Sequence, residues 1–231
     1  MNAPVIPNSE AQATIVRNLR PQVKALDPYH PVVPIELRAA RMGRAPEDII
    51  KLDANENPYG PPPPVLAALR NLDYIHLYPD PQTHFLREAL AEFTGVSFDL
   101  LVAGAGSDEL LTLIKDLFLN PGDVVVNCPP TFGMYPFETA IAGASVVAVP
   151  RRDDFSLDVA RIEEVVAQTT PQPKLIFVAS PNNPDGSWVS DADLERLLAL
   201  PLVMVLDEAY VEFVGQPMST RITQVAKREN L

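Results

Sequence analysis

The stretch KLIFVASPNNPDGSWVSDADLERLLALPLVMVLDEAY, residues 174–210, decides the fold. Leu175–Ala179 is apolar throughout, and so is Leu202–Leu206. Neither run alternates with polar residues, which is the pattern of a strand covered on both faces. Between them stand a turn-rich loop, SPNNPDGSW, and DADLERLLAL, whose apolar residues recur at helical spacing. Strand, helix and strand in this order make a βαβ unit with parallel strands. The second run ends in two acids, Asp207 and Glu208. A carboxylate against low-dielectric walls is costly unless it has a partner, so this strand end calls for one.

The same rhythm extends upstream. LLVAG (100–104), DVVVNC (123–128) and SVVAVP (145–150) read as strands. GSDELLTLIKDLF, PFETAIAGA and SLDVARIEEVVAQT read as the helices between them. The pattern predicts an α/β fold with a mostly parallel sheet covered by helices on both faces. Before it, LYPDPQTHFLREALAEFTGV gives a loop and a helix with Thr83 as N-cap, and VLAALRNL gives a helix preceded by prolines. IIKLD (49–53) reads as a short strand and ELRAARMG as a short helix. The expected organisation is an N-terminal arm with a short helix over 1–45 and one large domain over 46–231.

Bulk properties exclude several classes. A chain of 231 residues is long enough for one large domain that buries roughly 70% of its unfolded surface. The net charge of -12 offers no basic footprint for nucleic acid. The single cysteine, Cys128, excludes an internal disulfide framework and suits a reducing compartment. It follows an apolar run and reads as a buried filler. MNAPVIPNSEAQAT lacks the charged start and apolar centre of a signal peptide, and no apolar run nears the ~20 residues that span a membrane. A cytoplasmic location is expected. The 25 prolines, about twice the usual ~5%, cluster in loops such as PYGPPPP and stiffen them.

In parallel sheets, ligands bind beyond the carboxyl ends of the strands. Four segments lie there: AGAGSDE, NCPPTFGMY, ASPNNPDG and LDEAY. In AGAGSDE, Gly104 and Gly106 admit close backbone approach. The following helix offers either an anion site on its free N–H groups or simply a start capped by Ser107 with acids favoured by the dipole. PPTFGMY presents Phe132 and Tyr135, to stack on a flat ring or to pack. Asn183 either hydrogen-bonds a ring oxygen or serves a turn. Asp207 suits a protonated ring nitrogen, a lysine or arginine, or a metal. The histidines, His30, His76 and His84, lack metal-ligand spacing.

In this order the segments resemble the fold-type-I pyridoxal-phosphate enzymes, and among them the histidinol-phosphate aminotransferases. LDANENPYGP (52–61), LYPDP (77–81), GAGSDELL (104–111), PPTFGMY (129–135), SPNNPDG (180–186) and DEAYVEF (207–213) carry the likeness. It implies a three-layer α/β/α large domain and pyridoxal 5'-phosphate (PLP) as cofactor. Ser107 and Asp108 would hold the cofactor phosphate through backbone N–H groups. Phe132 would stack on the pyridine ring, Asn183 and Tyr210 would bond its 3-oxygen, and Asp207 would pair with its nitrogen. Tyr59 would reach the phosphate of a neighbouring subunit in a homodimer, and Tyr29 would lie near the substrate phosphate. The implied reaction moves an amino group from histidinol phosphate to 2-oxoglutarate, in histidine biosynthesis.

Two departures stand out. Asp185 replaces a threonine common in such loops. The resemblance also implies a catalytic lysine in a serine-lysine segment after DEAY, beyond a short helix that RITQVAKREN would form. Lys24, Lys51, Lys115, Lys174 and Lys227 all lie outside such a motif. The expectation is therefore an N-terminal portion of the enzyme, lacking the Schiff-base lysine and a C-terminal small domain, with little transaminase activity alone. Aromatic amino-acid aminotransferases and threonine-phosphate decarboxylases share these motifs. A non-catalytic domain that binds a phosphate-bearing ligand or a partner chain is the reading from another class.

Overall fold

The computed structural model describes residues 9–26, 33–215 and 220–231. They form two compact units, one from residues up to Leu26 together with Gln82–Leu231, the other from Asp27–Pro81. The larger unit begins with helices α1 (Ser9–Asn18) and α2 (Pro21–Lys24).

The smaller unit holds α3 (Ile35–Met42) and α4 (Pro63–Arg70). Gly43 ends α3 at φ 64, the left-handed turn that a residue without Cβ adopts freely. Prolines open α4, where the first N–H groups have no intrahelical acceptor to lose. IIKLD, expected as a strand, is not one: Ile50 and Leu52 are 85% and 86% exposed, and among the described residues no strand pairs with them. Its polar residues are tied locally instead, Lys51 to Glu56 and to Asp53 at 3.5 Å, and Arg38 to Asp53 at 3.2 Å.

The larger unit continues with α5 (His84–Thr94) and α6 (Ser107–Phe118), and then β1 (Val124–Asn127), α7 (Met134–Ala142), β2 (Ser145–Ala148) and α8 (Val159–Gln168). It closes with β3 (Leu175–Ala179), α9 (Asp191–Leu198) and β4 (Val203–Asp207). The sheet runs β2-β1-β3-β4, all parallel. Alternate residues feed two cores. Val126, Ile176, Val178 and Met204 meet Ile162, Val166, Leu194 and Leu197 of α8 and α9. Val125, Leu175 and Phe177 meet Leu111 of α6 and Tyr135 of α7. The result is three layers, α/β/α, as the alternation of helices and strands predicts.

Several local expectations fail for identifiable reasons. LLVAG is not a strand: Val102 is 71% exposed, and among the described residues no strand pairs with the segment. A strand needs a hydrogen-bonded partner, which an apolar run cannot supply by itself. Thr83 does stand at the N-cap of α5, but at φ 48 and with no side-chain capping bond. Ser107 is the first residue of α6 and not its cap; Gly106 holds that position at φ 85. By contrast, Asp158 and Ser190 do cap α8 and α9, accepting from the N–H groups of Arg161 and Asp193.

β4 packs on both faces but is less deeply buried than the inner strands. It is the last strand, and of its residues only Met204 is fully buried. Its outer edge is closed locally by the Asn230 carbonyl, which accepts from the Met204 N–H at 2.8 Å. The Asn230 amide nitrogen gathers the carbonyls of Leu198, Leu200 and Leu202. RITQVAKREN folds only into a short 3-10 helix, Ile222–Ala226, ahead of Asn230.

A buried ion pair fixes α6 to α7. Lys115 Nζ lies 3.1 Å from Glu138 Oε2, with both side chains 8% exposed, and the Thr112 hydroxyl donates to Glu138 Oε1 at 3.1 Å. Removing one partner strands a buried charge. Lys115→Met should lower the unfolding free energy by about 3–5 kcal/mol in urea denaturation, while Lys115→Met with Glu138→Leu should recover most of the loss.

Candidate active site

Register brings the strand ends to one level. β3 and β4 pair Ala179 opposite Asp207, so SPNNPDG and DEAY emerge side by side. Ser107, Phe132, Tyr135, Ala179, Pro181, Asn183, Asp207, Ala209 and Tyr210 line a cleft there. Six of the residues singled out in the sequence thus meet: Ser107, Phe132, Tyr135, Asn183, Asp207 and Tyr210. Asp108 lies beside them, exposed in the first turn of α6. Tyr59 belongs to the smaller unit, where its side chain is 94% exposed and its N–H donates to Asn57 Oδ1 at 2.9 Å. Tyr29 lies outside the described residues. No lysine lines the cleft.

Asp207 is held by two neutral donors. The Tyr135 hydroxyl donates to Oδ2 at 2.6 Å, and the Ala209 N–H donates to Oδ1 at 2.9 Å. Glu208, the adjacent acid, does a different job. Its oxygens accept from the Arg221 N–H at 2.8 Å and from the Thr220 hydroxyl at 2.5 Å. Arg221 then reaches the Val189 carbonyl and Asp191 and lies over the Trp188 ring. Glu208 therefore tethers the segment from Thr220 onward, and Asp207 is left at the cleft.

At the start of α6 the backbone N–H groups lack intrahelical acceptors. The Glu109 carboxylate folds back to accept from the Ala105 N–H. A Cβ on Gly104 would stand 3.0 Å from that carboxylate oxygen and 3.1 Å from Leu110, so a side chain here would have to push both aside. What remains is a helix start with positive dipole facing Phe132, Asn183 and Asp207. The donor set fits a flat cofactor with one anionic end. It offers backbone N–H groups for a phosphate, an aromatic face, a carboxamide, a phenol and a carboxylate. Among the described residues no cluster of His, Cys, Asp and Glu could hold a metal ion.

The loops that carry Phe132 and Asn183 are latched together. Thr131 Oγ1 donates to Asn182 Oδ1 at 2.8 Å, and Asn182 Nδ2 donates to the Pro130 carbonyl at 3.1 Å and to Asp185 Oδ2 at 2.7 Å. Asp185 Oδ1 accepts from the Ser187 N–H at 2.7 Å. Asp185 therefore acts as the turn's own anchor. Desolvation pushes its carboxyl pKa upward, but the bonds from Ser187 and Asn182 outweigh this and hold it below the ordinary value. Cys128 is buried in the core, its thiol pushed up to about 12 by desolvation, so at neutral pH it is not a nucleophile.

The partnership of Tyr135 with Asp207 and the Asn182 latch escape the sequence, because their partners lie 72 and 51 residues apart. The available signal is the spacing of Phe132 and Tyr135, which sets both aromatics on the approach to α7.

Known proteins are similar to this chain in sequence and in fold. The sequence model of the class I and II aminotransferases matches residues 47–231. The chain is 54% identical over 213 residues to the chloroplastic histidinol-phosphate aminotransferase of Nicotiana tabacum, covering 92% of this chain and 51% of that protein. It is 48% identical over 224 residues to the histidinol-phosphate aminotransferase of Roseiflexus castenholzii, covering 95% and 59%. The chain thus spans about half the length of the curated relatives it matches. In structure it is similar to histidinol-phosphate aminotransferase from Sinorhizobium meliloti in complex with pyridoxal-5'-phosphate. The TM-score is 0.71 at 32% identity, over 84% of this chain and 51% of that one. A Thermus thermophilus aspartate aminotransferase mutant gives 0.69 at 29% identity, over 84% and 54%.

The Asp185 anchor makes acid stability measurable. Its depressed pKa contributes stability that is fully present above the ordinary carboxylate pKa and is lost as pH falls through the lower folded value. Asp185→Asn should therefore be less stable than the parent at neutral pH. The gap in urea midpoints should narrow as pH falls toward ~3.

Proposed function

Since the chain belongs to the class I and II aminotransferase family, we propose that it forms the cofactor-binding part of a histidinol-phosphate transaminase that uses 2-oxoglutarate as amino acceptor. The observation that supports this most directly is the convergence of Ser107, Phe132, Asn183, Asp207 and Tyr210 on one cleft. The identity to relatives named for histidinol phosphate supports the substrate. Overall shape does not discriminate, since the aspartate aminotransferase is nearly as similar in fold.

In this reading, PLP supplies an electron sink that stabilises the carbanion formed in amino transfer. The chain's own residues do the holding. Backbone N–H groups of Ser107 and Asp108 bind the phosphate, and Phe132 covers the ring face. Asn183 and Tyr210 hydrogen-bond the ring oxygen. Asp207 pairs with the ring nitrogen and keeps a proton there. Tyr59, on an exposed loop, is proposed to serve the neighbouring subunit of a homodimer, and Tyr29 the substrate phosphate. The boundary between arm and large domain near residue 46 is kept as part of the proposal. So is a cytoplasmic location. Subcellular fractionation distinguishes it from the chloroplastic location in the plant relatives' names.

Absorbance titration with PLP tests the reading. The 231-residue chain should bind it reversibly, and Asp207→Ala should weaken binding by about 10- to 100-fold, the worth of a charged hydrogen-bond partner. Borohydride should leave no adduct at a single lysine, and turnover of histidinol phosphate by this chain alone should be negligible. Brisk turnover, or one specifically reduced lysine, would show that a lysine outside the expected motif serves the reaction.

A further inference from the structure

We propose that Tyr135 is a positioning residue that fixes the carboxylate of Asp207 for the cofactor ring. The proposal deepens the PLP reading and rests on it. Tyr135 is fully buried at the start of α7. Its ring lies parallel to Phe177 of β3, with centroids 4.9 Å apart and planes at 5°. It also meets Phe132 edge-on at 5.6 Å and 84°. One immobile side chain therefore touches two groups assigned to the ring, the stacking Phe132 and the charged Asp207.

The hydrogen bond supplies what β4 cannot. Asp207 is the last residue of an edge strand and is only partly buried, so sheet packing alone leaves its side-chain torsions free. The Tyr135 hydroxyl at 2.6 Å on Oδ2 and the Ala209 N–H on Oδ1 set the carboxylate plane. Each oxygen keeps lone-pair capacity for a further donor from the cleft. Burial and the neighbouring Asp207 carboxylate push the Tyr135 phenol well above the usual tyrosine range. The phenol thus keeps its proton and acts as donor toward Asp207. Phe177 and the α7 backbone hold the phenol still, and the phenol holds the acid.

Tyr135→Phe removes the hydroxyl and preserves the stack. In the 231-residue chain loaded with PLP labelled with nitrogen-15 in the ring, the parent should show a protonated ring nitrogen. In Tyr135→Phe that resonance should move toward the unprotonated position, with affinity reduced about fivefold, the worth of one neutral donor. A purely structural residue would change stability or affinity and leave the bound ring signal in place, and that result overturns the proposal. A second measurement needs no cofactor. The parent should show a slowly exchanging phenolic proton that disappears in Asp207→Ala, whether or not Tyr135→Phe folds. Its persistence in Asp207→Ala would also overturn the proposal. A parent chain that takes up no PLP while showing the phenolic proton sinks the cofactor reading, and the ring-positioning role with it, but leaves the hydrogen bond established.

Discussion

Parallel pairing of four strands is the constraint from which the rest follows. Strands that run the same way end at the same edge, so segments far apart in sequence emerge together. The register that sets Ala179 opposite Asp207 puts SPNNPDG and DEAY at one height. Alternation along those strands then decides direction. Odd-numbered residues of β3 and β4 face α6 and α7. Asp207 inherits that face, and the first turn of α7 brings Tyr135 to meet it. Slipping β4 by one residue would turn Asp207 toward α8 and α9 and bring Glu208 into its place.

The two acids at the end of β4 illustrate how one position changes a role. Asp207 is the last strand residue, and its donors leave it facing the cleft. Glu208 faces away and tethers the segment through Thr220 and Arg221. Buried charge elsewhere is handled by pairing. Lys115 and Glu138 neutralise each other between α6 and α7, and so hold the helix start that carries Ser107 against the helix that carries Tyr135. Asn182 and Asp185 do the corresponding work with neutral donors, joining the loops of Phe132 and Asn183.

Much of this was legible beforehand. The continuous apolar runs of β1 and β3 are read correctly because burial on both faces leaves no room for polar alternation. The helices from α5 to α9 follow from their periodicity. The misread strand segments share one cause. LLVAG and IIKLD have the apolar content of strands but no neighbour to bond, and β4 has a neighbour on one side only. Thr83 and Ser107 are good capping residues by type, yet Thr83 takes the N-cap of α5 without a side-chain capping bond, and Gly106 takes that of α6. Residue type states what a group can do; its partner decides whether it does so.

By itself the sequence determined the layer order, the direction of the sheet and the four segments at its active edge. Those properties depend on periodicity and on which residues water rejects, and both are local. Only the tertiary structure decided which acid faces the cleft, what aims it and what closes the free edge of β4. These rest on hydrogen bonds between residues as far apart as Tyr135 and Asp207, and a short-range bond between distant positions leaves no periodic trace in the chain.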